Sequence, residues 1–130
     1  MYRAITRDIA VTATPHFMAE QSDPAQSRYF WAYTIEIANQ GQETVQLLSR
    51  HWIITDGDGK IQEVRGDGVV GEQPTMSPGG SFTYTSGCPL STPQGIMTGT
   101  YLFTNERNEE FTVTIPAFSL DAPQVQRVLH

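Results

Sequence analysis

Cysteine is nearly absent: Cys88 stands alone in 130 residues, so no disulfide can form within the chain. No apolar run approaches the roughly 20 residues that cross a bilayer as a helix, and the opening Met1 to Asp8 lacks the apolar stretch of a secretory signal. These absences point to a reducing cytoplasm and away from the membrane. Basic residues are also few, eight against fourteen acidic ones for a formal net charge of −6. That balance removes the phosphate-neutralising surface on which nucleic-acid binders depend. His16, His51 and His130 are dispersed, no H-E-x-x-H, C-x-x-C or G-x-S-x-G spacing occurs, and Cys88-Pro89 has no neighbouring histidine. An enzyme is therefore not expected, and neither a metal nor a cofactor is implied.

Charge is missing from one long stretch as well. Between Gln73 and Asn105 there is no Asp, Glu, Lys or Arg. Two readings stay open: strands whose polar faces are built from Ser and Thr, or a face kept uncharged for a partner, since interface cores are depleted in charge.

What is present is alternation with a period of two. Ile9, Val11 and Ala13 alternate with polar or small residues up to Pro15. Tyr29, Trp31, Tyr33, Ile35 and Ile37 share one face of a longer run ending at Asn39-Gln40-Gly41. The apolar phase then shifts between Val45 and Leu47 on one parity and Leu48, Trp52 and Ile54 on the other, which predicts a β-bulge near Leu47-Leu48. Asp56-Gly57-Asp58-Gly59 reads as a hairpin turn before a short strand from Lys60 to Val64. A calcium loop would need an oxygen ligand where Lys60 stands and a glycine where Ile61 stands.

Further strands are predicted at Phe82 to Thr85, Met97 to Thr104 and Phe111 to Ile115, with a turn at Asn105 to Asn108 and a solvated tip at Arg107, Glu109 and Glu110. Roughly seven strands and no convincing helix specify an all-β, immunoglobulin-like antiparallel β-sandwich, one domain over residues 1–130. Trp31 and Trp52 are expected in its core. Tyr101, two residues before Phe103, fits either a tyrosine corner or an ordinary core aromatic.

Gly66-Asp67-Gly68-Val69-Val70-Gly71 matches the G-x-G-x-x-G fingerprint of dinucleotide-binding folds, but two prolines and two glycines between Glu72 and Gly80 forbid the helix that fingerprint needs. Residues 66–81 read as a long glycine- and proline-rich connection. Without a helix, consecutive glycines can still aim amides at an anion. The candidate phosphate-binding residues are Arg65, Gly66, Asp67, Gly68, Val69, Val70 and Gly71, with the amides of Gly68 through Gly71 as donors and Arg65 as counter-charge. Asp67 and Glu72 oppose a phosphate, and a bent strand needing glycine for backbone reasons is the structural alternative.

Val64 to Pro74, Leu47 to Asp56 and Ile115 to Leu120 together closely resemble the bacterial ApaG proteins over nearly the whole chain. The resemblance implies a fibronectin type III-like sandwich. It also implies an unsettled molecular activity, a pyrophosphate-binding role suggested for the glycine run, and a family link to cobalt resistance and magnesium efflux. Related domains in eukaryotic F-box proteins and in a DNA-polymerase-interacting protein favour a non-enzymatic protein-interaction module with a protein partner. The alternative is a pyrophosphate- or nucleotide-binding protein. An exposed edge strand could pair two copies into a homodimer, or the tail from Asp121 to His130 could block it.

Overall fold

The alternating run that begins at Tyr29 forms an eleven-residue strand, and its neighbours assemble around it as antiparallel partners. A computed structural model describes residues 1–123. Among them lie nine strands: β1 (Tyr2–Thr6), β2 (Ile9–Phe17), β3 (Tyr29–Asn39), β4 (Val45–Asp56), β5 (Ile61–Asp67), β6 (Thr75–Met76), β7 (Ser81–Leu90), β8 (Gln94–Thr104) and β9 (Glu110–Asp121). One sheet has the order β1-β2-β3-β7 and the other β5-β4-β8-β9, with β6 pairing β4. The all-β antiparallel sandwich expected from the sequence is the fold observed.

Apolar side chains of both inner faces fill the space between the layers, as alternation requires. Trp31 and Trp52, 1% and 3% exposed, are both in this core. Burying each removes roughly 200 Å² of surface from water, worth about 5 kcal/mol at ~25 cal/mol per Å². Trp31 Nε1–H also donates to the Asp121 carbonyl at 3.2 Å, tying β3 to the end of β9. Trp52 meets Tyr33 and Phe118 edge-on at 5.3 and 6.0 Å between ring centroids.

The predicted bulge is present: the register of β4 against β8 shifts between Leu47 and Ser49, leaving Leu48 as the extra residue. Two expectations need correction, and one strand goes unannounced. The pattern of alternation marks β2 but not β1, which carries little more than Ile5 as an apolar signal and is held by pairing with β2. Pro15 does not end β2. Gln40 N–H donates to the Asp8 carbonyl, so odd-numbered residues of β2 face β1; β1 stops opposite Ala13, and the N–H that Pro15 lacks has no partner to lose. Residues 66–81 are not one unstructured connection. Gly66 and Asp67 end β5, Val69 and Glu72 form an isolated bridge, and Thr75–Met76 pairs with Val45–Gln46.

The two sides of the sandwich differ. On one, β1 leans on β9, where the Thr114 N–H donates to Thr6 Oγ1 at 3.1 Å. On the other, β7 and β5 are the outer strands of their sheets and a cleft opens between them.

Candidate functional site

The glycine run closes on itself. Val69 N–H donates to the Glu72 carbonyl at 2.8 Å and Glu72 N–H to the Val69 carbonyl at 2.9 Å, making a two-residue turn with φ of +43° at Val70 and +82° at Gly71. Such turns suit the twist of antiparallel strands and ordinarily take Asn-Gly. Gly68 N–H donates to the carbonyl of the bulged Leu48 at 2.8 Å. A Cβ on Gly68 would overlap the Glu72 carbonyl oxygen. Of the amides assigned to an anion, those of Gly68 and Val69 are engaged in backbone bonds, while those of Val70 and Gly71 have no partner among the described residues. Arg65 is exposed and pairs with Glu63 at 3.2 Å. No helix follows Gly71: the chain passes through Pro74 to β6.

The run's first glycine has a different task. The bulge at Leu48 advances the phase of β4, so Arg50 joins Trp52 and Ile54 on the inward row. There it lies opposite Gly66 on β5 and Tyr101 on β8. A Cβ on Gly66 would come within 2.8 Å of Arg50 Nη1 and 3.0 Å of Cζ, so the absent side chain leaves the slot that the guanidinium fills. Nη1 donates to the carbonyls of Asp67 at 3.1 Å and Gly68 at 3.0 Å. Guanidinium carries five N–H donors. Those on Nη2 and Nε have no hydrogen bond, and Arg50 has no ion pair, among the described residues.

Arg50 stands at the junction of two adjoining hollows. The first, about 320 Å³, is bordered by Tyr33, Asp67, Val70, Tyr84 and Ser86. The second, about 210 Å³, is bordered by Trp52, Ile54, Val64, Cys88, Pro89 and Met97. One end of the cleft is thus polar, with Arg50 and Asp67 both bordering it, and the other is the more apolar. Tyr84 and Tyr101 join hydroxyls across the sandwich at 2.5 Å, so Tyr101 is a core aromatic bridging the layers and forms no tyrosine corner. Burial pushes the phenols of Tyr33, Tyr84 and Tyr101 above their ordinary value, and the Arg50 charge pulls each the other way. All three remain neutral hydroxyls at neutral pH. Burial likewise raises the Cys88 thiol to about 11, the opposite of an activated nucleophile.

The β7 edge forms one wall of this cleft. Asn39 N–H donates to the Gly80 carbonyl at 2.9 Å, so in the ladder with β3 the bonded residues of β7 are even-numbered. The peptide groups of Ser81, Thr83, Thr85 and Gly87 therefore point outward, with no backbone partner among the described residues. β7 lies wholly within the uncharged stretch seen in the sequence. The facing edge, β5, carries Glu63, Arg65 and Asp67.

Sequence reasoning does not single out Arg50, although a signal is there: it shares the parity of Leu48, Trp52 and Ile54, and a charge on a core-facing row calls for an explanation. His51 bonds Glu63 at 2.8 Å. At the opposite end Arg107 pairs with Glu43 and Glu109, and Glu109 with Arg7, a tip that is solvated as expected. Among the described residues no three His, Cys, Asp or Glu side chains gather as a metal cluster, and no helix is long and apolar enough to cross a membrane. The tail beyond Pro123, invoked as a possible cover for an edge, lies outside the described residues.

The fold and cleft define a class: a two-layer antiparallel sandwich domain with one open, uncharged edge beside an arginine-bearing groove. The chain belongs to the ApaG family, whose domain model matches residues 19–105. It is 62% identical to the Protein ApaG of Xanthobacter autotrophicus and 61% identical to that of a Methylobacterium species, over 130 residues and the full length of each chain. A crystal structure of an ApaA protein from Bordetella pertussis superposes with a TM-score of 0.88 at 51% identity, covering 93% of this chain and 98% of that one.

Proposed function

We propose that this protein is a non-enzymatic interaction module of the cytoplasm that binds an extended segment of another protein, adding it as a strand along β7. The observation that carries the reading is the edge itself, ten residues without a charge and with alternate peptide groups unpaired. Long uncharged edges invite strand addition, and domains without an edge partner guard them with charges, prolines or bulges. β5 is guarded by charges along its length, whereas β7 carries no charge and a single proline, Pro89, next to its last residue. Val70 supports the same reading: a β-branched side chain, 56% exposed and held at φ +43°, costs stability at the rim of the cleft and makes sense as a contact for a partner.

The strand order β1-β2-β3-β7 in one sheet and β5-β4-β8-β9 in the other supports a fibronectin-like reading, an architecture that many interaction modules use. On this reading the family link to cobalt resistance and magnesium efflux runs through a partner and not through a metal held by these residues. The test is Thr83→Pro, which removes one outward N–H and leaves the ladder to β3 intact. A partner that the native protein captures and the folded Thr83→Pro variant loses supports the reading. Equal capture by both overturns it.

A second reading, pyrophosphate or nucleotide binding by residues 65–71, keeps two free donors, the amides of Val70 and Gly71. Its test is titration with pyrophosphate and ADP, followed by the amide shifts of Gly66 to Gly71. Amides that stay still at about millimolar ligand, where a weak site of about −4 kcal/mol would fill, remove it.

A further inference from the structure

We infer that the cleft beside β7 reads the side chains of the bound segment, seating an acidic one against Arg50 and, two residues along, an apolar one against Trp52, Ile54 and Met97. This rests on the strand addition proposed above and names the chemistry of the partner. A strand laid beside β7 presents every second side chain to the space between the sheets, about 7 Å apart. On β7 itself the inward row is Tyr84, Ser86 and Cys88. The first two border the hollow that holds Arg50, and Ser86 and Cys88 border the apolar one. Consecutive inward residues of an added strand therefore fall one in each hollow.

Charge selects the first residue. Arg50 is the basic side chain of the cleft, its Nη2 and Nε donors are unused among the described residues, and Tyr33 and Tyr84 line the same hollow. A carboxylate there would accept charge-assisted hydrogen bonds from a guanidinium already held in place by two carbonyls. Asp67 is also at this hollow, exposed on its rim. It disfavours a second acidic residue in the segment and leaves the deeper Arg50 side to a single carboxylate.

Other occupants offer less. A second copy pairing through β7 brings an uncharged strand and leaves Arg50 unanswered. Residues 124–130 carry Arg127 and no Asp or Glu. An acidic segment of a different protein is the complement that remains.

The probe is a set of synthetic octapeptides, Lys-Thr-X-Thr-Z-Thr-Thr-Lys, in which X and Z are each Glu, Leu, Lys or Thr. Binding to the full-length protein is read by fluorescence anisotropy. Peptides pairing Glu with Leu should bind at least about tenfold more tightly than those pairing Lys with Leu. Raising salt from about 50 to 500 mM should shrink that preference. Arg50→Gln should reduce it to within about twofold, and Arg50→Lys should keep part of it. Thr83→Pro should abolish binding of every peptide.

A preference for Glu that persists in Arg50→Gln overturns the inference, as does equal binding of Glu and Lys peptides by the native protein. In both cases sensitivity to Thr83→Pro leaves strand addition standing. Failure of all peptides to bind, binding indifferent to Thr83→Pro, or self-association of the protein through β7 as its only assembly overturns both. Should Arg50→Gln fail to fold by circular dichroism, the Arg50→Lys variant and the salt series decide the matter.

Discussion

Alanine at each glycine of the fingerprint separates backbone need from ligand chemistry. Gly68 sits at φ +65°, and a Cβ there would overlap the Glu72 oxygen and lie 2.9 Å from its carbonyl carbon, both backbone atoms that cannot swing aside. Left-handed backbone costs an alanine about 1 kcal/mol. Relieving the clash opens the turn and forfeits the two Val69–Glu72 hydrogen bonds, about 1 kcal/mol each. Gly68→Ala should therefore lose about 3 kcal/mol, which for a domain of this size lowers Tm by roughly 11 °C. Gly71, at φ +82°, has open space around it, with nothing within 4 Å of where a Cβ would stand. Gly71→Ala should lose only about 1 kcal/mol, or roughly 4 °C. Thermal melts followed by circular dichroism make the comparison. If the two variants melt within about 3 °C of each other, the geometric account of the fingerprint is wrong. Gly66→Ala belongs to a third class: the displaced group is a flexible guanidinium, so stability changes by under about 1 kcal/mol while Arg50 leaves its slot.

Other consequences are open to measurement. Tyr101→Phe strands the Tyr84 hydroxyl and should cost about 1–2 kcal/mol, whereas Tyr84→Phe with Tyr101→Phe should cost less than the sum of the single changes; additive denaturant midpoints would refute the coupling. Tyr33, Tyr84 and Tyr101 all hold their protons above the ordinary 10.0. The unfolded chain therefore ionises first, and stability is whole below pH 10 and falls as pH rises beyond it. Urea midpoints should hold level up to about pH 9.5 and fall progressively as pH rises past about 10, more steeply in the native protein than in Tyr101→Phe, and a flat profile would contradict the burial of these phenols. Cys88, buried and raised to about 11, should resist a thiol reagent at about pH 8 until the protein unfolds; labelling of the native protein at the rate of a free thiol would show otherwise. Val70→Asn should stabilise the fold by about 1 kcal/mol, since Asn tolerates positive φ, and should weaken partner capture. Unchanged capture would remove Val70 from the binding surface.

Much of the architecture is legible in the residues. Trp31 to Ile37 alternate without interruption against Ala32, Thr34 and Glu36, and that pattern alone requires a strand with one buried face. The phase slip between Leu47 and Leu48 is legible for the same reason, since a period of two tolerates no extra residue without a bulge. β1 is not legible, because Tyr2 to Thr6 is short and its place depends on pairing with residues 9–13. The connection after Gly66 reads as irregular in the sequence because its order comes from bonds to Leu48, Val45 and Gln46, partners about 20 to 30 positions away along the chain.

Period, parity and composition are enough to place the aromatics between two layers and to deny the glycine run a helix. Those properties are local, and alternation or a proline acts wherever it occurs in the chain. Which edge stays open, and what stands beside it, is settled only when distant strands meet. Arg50 comes to face Tyr33 and Ser86 because β4 and β3 belong to different sheets, and Gly66 makes room for it because β5 pairs at that register. Such proximity arises from long-range closure of the sandwich, for which no single segment carries a signal.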